Sequence, residues 1–140
     1  MAERDSTTSN SAGSGEFVYE PDDAWHRLPD GIELGEAVGV ATDSQDRLYV
    51  FNRGGQQPVM VFDSDGEFLQ SWGEGQFVRP HGIWIGPDDS LYLTDDQDHT
   101  VRKFPVDGDL LLTLGTSGRP RDSGVENSDY RTIKHAAPPF

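Results

Sequence analysis

The sequence has no cysteine among its 140 residues, which excludes a disulfide framework and a thiolate metal site. Lysine is almost absent: Lys103 and Lys134 stand beside nine arginines, and the 11 basic residues face 25 acidic ones for a formal net charge of -14. A phosphate backbone is bound largely through Lys and Arg, so nucleic acid is not an expected partner. No apolar run approaches the roughly 18 residues of a membrane span, so a membrane is not expected either. The opening MAERDSTTSNSAGSG has no apolar core of a secretory signal, which leaves cytoplasmic as the default expectation. Sustained helical periodicity is missing as well. The surplus of acid keeps copies apart by self-repulsion, which salt screens. Adaptation to high salt and an ordinary acidic composition both account for it.

What is present is a repeat. GVATDSQDRLYVFNR (Gly39–Arg53) aligns with GIWIGPDDSLYLTDD (Gly82–Asp96) at an offset of 43, setting Gly39 on Gly82, Val40 on Ile83 and Tyr49 on Tyr92. VMVFDSDGEFLQSWG (Val59–Gly73) aligns with VRKFPVDGDLLLTLG (Val101–Gly115) at an offset of 42, setting Phe62 on Phe104, Gly66 on Gly108 and Gly73 on Gly115. The first copy therefore has one extra residue, within GGQQP. Each copy predicts four short strands, near 38–41, 47–52, 59–62 and 67–71, then near 82–85, 90–94, 100–104 and 109–114. The strands are rich in β-branched and aromatic residues. Asp65-Gly66 and Asp107-Gly108 separate apolar runs, as tight hairpins require.

Four strands every ~40–45 residues is the spacing of a β-propeller blade. The expected fold is all-β, with two clear blades at about 37–75 and 80–115. Residues 1–15 are expected to be a disordered Ser/Thr/Gly-rich arm, because they cannot bury enough apolar surface to offset ordering. The segment 17–34 is expected to supply a stray strand of a closing blade. Residues 116–140 are read as a loop leading toward a third blade. Two blades leave apolar faces uncovered, so self-association through them is a further expectation, three copies giving six blades.

The repeat resembles the NHL type. VGVATDSQDRLYVFNRG (Val38–Gly54) and FVRPHGI (Phe77–Ile83) look like the opening of the peptidyl-α-hydroxyglycine α-amidating lyase family. The resemblance implies a six-bladed propeller that splits a peptidyl-α-hydroxyglycine into a peptide amide and glyoxylate, with zinc and calcium as cofactors. It implies that His81 is one of three zinc-binding histidines, that Arg53 is an active-site arginine, and that Val40 and Ile83 offer backbone carbonyls to calcium. Three protein ligands leave zinc an open position, a guanidinium can hold a carboxylate in a bidentate fork, and oxygen ligands suit calcium. The family's other zinc histidines belong to later blades, so the chain alone is expected to be inactive.

A second class of reading stays open: a non-enzymatic NHL module that binds a protein or peptide, with Arg53 and His81 as ordinary surface groups. Asp63–Gly66 lacks the 12-residue calcium-loop pattern and reads as a hairpin turn. The Asp95–Asp98 run reads as a solvated loop. Trp25, Trp72 and Trp84 read as packing residues between strands and blades.

Overall fold

The computed structural model describes residues 11–120. Its strands are β1 (Ala12–Ser14), β2 (Phe17–Tyr19), β3 (Glu36–Thr42), β4 (Leu48–Arg53), β5 (Val59–Phe62), β6 (Phe68–Trp72), β7 (Pro80–Ile85), β8 (Leu91–Asp95), β9 (Thr100–Phe104) and β10 (Leu112–Gly115). All pairings between these strands are antiparallel: β3-β4-β5-β6 form one sheet, β7-β8-β9-β10 a second, and β1-β2 a small hairpin. The two large sheets are the two repeats. Among the described residues no helix is long and apolar enough to cross a membrane.

The repeat is kept down to single dihedral angles. Asp46 and Asp89 end equivalent turns at φ 58° and 57°, and Gly66 and Gly108 at 83° and 88°. Three-residue hairpin loops close on one residue with this left-handed backbone, which glycine adopts freely and Asp tolerates. Between β3 and β4 the register shifts from Ala37 to Gly39, and between β7 and β8 it shifts from Pro80 to Gly82. Val38 and His81 are therefore the equivalent bulge residues of the two innermost strands.

The core lies between the sheets. Tyr49, Phe51, Val59 and Val61 from the first sheet meet Leu91, Leu93 and Phe104 from the second, all buried. Alternation along a strand puts the remaining residues on the opposite faces. On the outer face of the first sheet Val50, Met60 and Phe62 are covered by Trp25, Leu28, Ile32 and Leu34. The segment 25–34 is thus a strap across that face. Arg27 pins it to the rim of β6, its backbone N–H donating to Gly66 O at 2.8 Å and its side chain pairing with Glu67.

The strap's tryptophan repeats a contact found between the sheets. Trp25 stacks on Phe62 with ring centres 6.0 Å apart and closes on Gly66; Trp72 stacks on Phe104 at 5.1 Å and closes on Gly108. Phe62 and Phe104, like the two glycines, are repeat equivalents. The strap therefore presents its ring to the first blade as the first blade presents Trp72 to the second.

Among the described residues no segment covers the outer face of the second sheet. The registers put Trp84, Tyr92, Lys103 and Leu112 in one row across it, with Thr94, Val101 and Leu114 in the next. Trp84 is 57% exposed and stacks on Tyr92 rather than packing between blades. Residues 12–14, expected on composition to be part of a disordered arm, pair with β2: Gly15 takes the positive φ of the tight turn, and Gly13 within β1 leaves room for the Phe17 carbonyl. The strand expected from Asp109 begins at Leu112; before it, the Leu111 N–H donates to Lys103 O. The expectations for residues 1–10 and 121–140 lie outside the described residues.

Candidate functional site

Arg53 reaches the segment that carries His81 at one end of the sheets. Arg53 is the last residue of β4, and its Nε donates to Pro80 O, one residue before His81, at 3.0 Å. This hydrogen bond crosses from the first blade to the second. The Arg53 Nη1 also lies 3.4 Å from Glu36 Oε1, its cross-strand partner. His81, at the bulge of β7, is exposed; its Nε2 is 3.9 Å from Asp96 Oδ2, which accepts from Arg79 Nη1 at 2.8 Å. A bulge re-aims the side chain it carries, and bulges gather beside functional sites. Val38, the equivalent residue, packs against the core.

Val40 and Ile83 lie deeper along the same two strands. Val40 pairs with Val50 and Ile83 with Leu93, so they hold equivalent places in the two sheets. Strands β3 and β7 abut here. A Cβ on Gly39 would sit 2.9 Å from Ile83 Cγ2, so the glycine permits the approach.

The site is braced by carboxylates that sequence reading missed. Asp95 is 2% exposed and accepts from four backbone N–H groups, those of Val78, Arg79, Gln97 and Asp98. It fastens the RPHGI approach to the end of β8. Asp98 is also buried; it accepts from Thr100 Oγ1 at 2.9 Å, from Arg102 Nη2 at 2.6 Å and from Ser117 Oγ. The hydrogen bond from Ser117 leads the interactions that hold its pKa below the ordinary carboxylate value, against the opposing effect of burial. Asp95 and Asp98 are thus buried braces, whereas Asp96 and Gln97 between them are exposed, as read for a solvated loop. The available signal was Asp95 standing at the repeat position of Asn52, itself buried. Asp63 behaves as read, accepting from the N–H groups of Asp65 and Glu67 in a hairpin turn.

A catalytic zinc takes three protein ligands and calcium six to eight oxygens. Among the described residues no group of three or more His, Asp or Glu gathers to hold a metal ion. His81 has one acidic neighbour, and that carboxylate already serves Arg79. The described residues thus do not by themselves fit either ion. They offer zinc one imidazole and calcium the two aligned positions Val40 and Ile83.

Two stacked four-stranded sheets repeating one pattern define an all-β chain of NHL-type propeller blades. No family model matches it. It is 35% identical over 112 residues to NHL repeat-containing protein 3 of Homo sapiens, covering 74% of this chain and 32% of that protein. It is 41% identical over 131 residues to peptidyl-alpha-hydroxyglycine alpha-amidating lyase 1 of Drosophila melanogaster, covering 74% of this chain and 24% of that one. Against peptidylglycine alpha-amidating monooxygenase of Rattus norvegicus the identity is 31% over 136 residues, covering 76% and 13%. The chain is therefore a relative of NHL-repeat proteins and amidating enzymes, and it spans about a third or less of the length of these relatives.

Proposed function

We propose that the end of the sheets carrying Arg53 and His81 is part of a peptide-binding site of the amidating-lyase kind, which takes a peptidyl-α-hydroxyglycine by its carboxylate. The observation that supports this reading is the hydrogen bond from Arg53 Nε to Pro80 O, which ties a guanidinium of one blade to the residue before His81 in the next. With Nε committed to the carbonyl, the two terminal nitrogens are the ones that would form a carboxylate fork. Their present neighbour, Glu36, is an exposed side chain, and an exposed ion pair of this sort contributes only ~0–1 kcal/mol. A substrate carboxylate displaces it at small cost. Arg79 holds Asp96 beside His81 and so limits the carboxylate's freedom to swing away from the imidazole. Zinc, implied by resemblance, would supply Lewis-acid polarisation of the substrate hydroxyl; no step is assigned to it on these residues. In the complete reaction the carbon–nitrogen bond of the α-hydroxyglycine breaks to give peptide amide and glyoxylate.

A second reading is favoured by the match to NHL repeat-containing protein 3. In it the blades present their loops to a protein or peptide partner, Arg53 and His81 are ordinary surface groups, and no bond breaks. One experiment addresses both. The 140-residue chain is titrated calorimetrically with a peptide ending in α-hydroxyglycine and with the same peptide amidated, and glyoxylate is assayed in parallel with Zn²⁺ and Ca²⁺. The free carboxylate is expected to bind at least about tenfold more tightly, and Arg53→Ala to erase the difference. Equal binding of both peptides overturns the carboxylate site. Binding that depends neither on the free carboxylate nor on Arg53 leaves the binding module as the reading.

A further inference from the structure

We infer that the outer edge of the second blade is a self-pairing surface, on which a second copy of this chain docks its own β10 in antiparallel register. The inner edge strands β3 and β7 abut each other, so among the described residues the outward-facing edges of the two sheets are β6 and β10. The β6 edge is guarded by Arg27, whose backbone bridges Glu67. Among the described residues no segment pairs with the β10 edge. Leu110, Leu111, Leu112 and Leu114 are all about half exposed, and the run Leu110–Leu114 contains no charge and no proline. Unpaired edges of this composition are templates for another strand, and proteins ordinarily blunt them with charge. The short exposed β2 is blunted in that way, with Glu16 and Glu20 at its ends.

Charge selects the partner and its direction. The amino-terminal end of the edge carries exposed Asp107 and Asp109. Its carboxy-terminal end carries Arg119, which has no ion pair among the described residues and lines an open cleft of about 500 Å³ with His99, Gly115 and Thr116. Antiparallel self-pairing centred on Thr113 sets Leu112 beside Leu114 of the second copy and brings each acidic end to the other's basic cleft. Parallel pairing would set acid against acid. The contact is isologous and closes at two copies. Head-to-tail rings are blocked, because the strap already covers the first blade's outer face with Trp25, Leu28, Ile32 and Leu34.

The test is sedimentation equilibrium on the full chain, up to about 100 μM in near-physiological salt, a concentration that populates even a weak complex. The expected species has twice the 15.5 kDa chain mass. Leu112→Lys puts a charge on a half-exposed edge position and is expected to return the chain to monomer with its melting curve unchanged. Arg119→Glu is expected to weaken the dimer at least about tenfold, and adding Asp107→Arg and Asp109→Arg to it to restore pairing. These charge variants decide the matter if Leu112→Lys fails to fold. A wild-type monomer throughout, a trimer, or a dimer indifferent to both Leu112→Lys and Arg119→Glu overturns the inference.

Discussion

Asp43 shows how a buried carboxylate is made an asset. Its two oxygens accept from the N–H groups of Gln45 and Arg47, from Arg47 Nε at 2.7 Å and from the Tyr49 hydroxyl at 3.1 Å. Burial works to raise its pKa, but the hydrogen bonds from Arg47, Gln45 and Tyr49 together outweigh it and leave the value below the ordinary 3.8. The same burial, with the Asp43 charge beside it, pushes the Tyr49 hydroxyl well above its usual value and keeps it a donor. A depressed carboxylate stabilises the fold above its unfolded pKa, and that contribution is lost as pH falls through the folded value. Asp43→Asn is therefore expected to cost about 1–2 kcal/mol at neutral pH. The gap to the unmodified chain should narrow as pH drops below about 4. Urea titrations at several pH values check this; a gap independent of pH would refute the role given to the charge. Asn52, the first-blade counterpart of Asp95, contrasts with these residues. Its Oδ1 is buried without a hydrogen-bond partner among the described residues, and nothing in the structure explains it.

At the scale of elements, the strap and the blades obey one packing rule, a tryptophan ring over a hairpin glycine and the phenylalanine beside it. Trp25→Ala removes that ring from the first blade and is expected to lower stability by about 2–3 kcal/mol, near the low end for a large aromatic. Trp84→Ala, on the outer face of the second sheet, should stay within about 1 kcal/mol. Comparable losses for the two, measured by urea denaturation, would mean that the strap is not part of the packed structure. The eight blade strands were legible because alternation and Asp-Gly turns are local properties, and the repeat checks each strand against its double. The strap was visible only as a stray segment, since its partners Phe62 and Gly66 are forty residues on. Arg53 and His81 were reached through resemblance. The link from Arg53 to Pro80 O depends on how two sheets stack, and no spacing in the chain encodes that. Asp95 was misread for the same reason: a carboxylate followed by Asp, Gln and Asp reads as solvated until four amides converge on it.

For the whole molecule, one core shared by both sheets implies one cooperative transition, since neither sheet keeps its buried face without the other. The net charge of -14 works against that compact state. Raising salt from about 0.01 to about 0.5 M shortens the Debye length several-fold and is expected to raise the midpoint of thermal unfolding by a few degrees. A midpoint that falls with salt would mean that individual ion pairs such as Arg102–Asp98 outweigh the general repulsion.

The strap has a further consequence, for the order in which the protein is made. Residues 25–34 leave the ribosome before the sheet they cover, so the first blade finds its lid waiting when its last strand emerges. The second blade then arrives to cover the opposite side. From the first blade onward, a growing chain that folds as it emerges leaves just one apolar sheet face bare to the crowded cell, always the newest one. Segments translated in sequence bury one another in sequence, which limits the time during which a half-made chain can be captured by its neighbours.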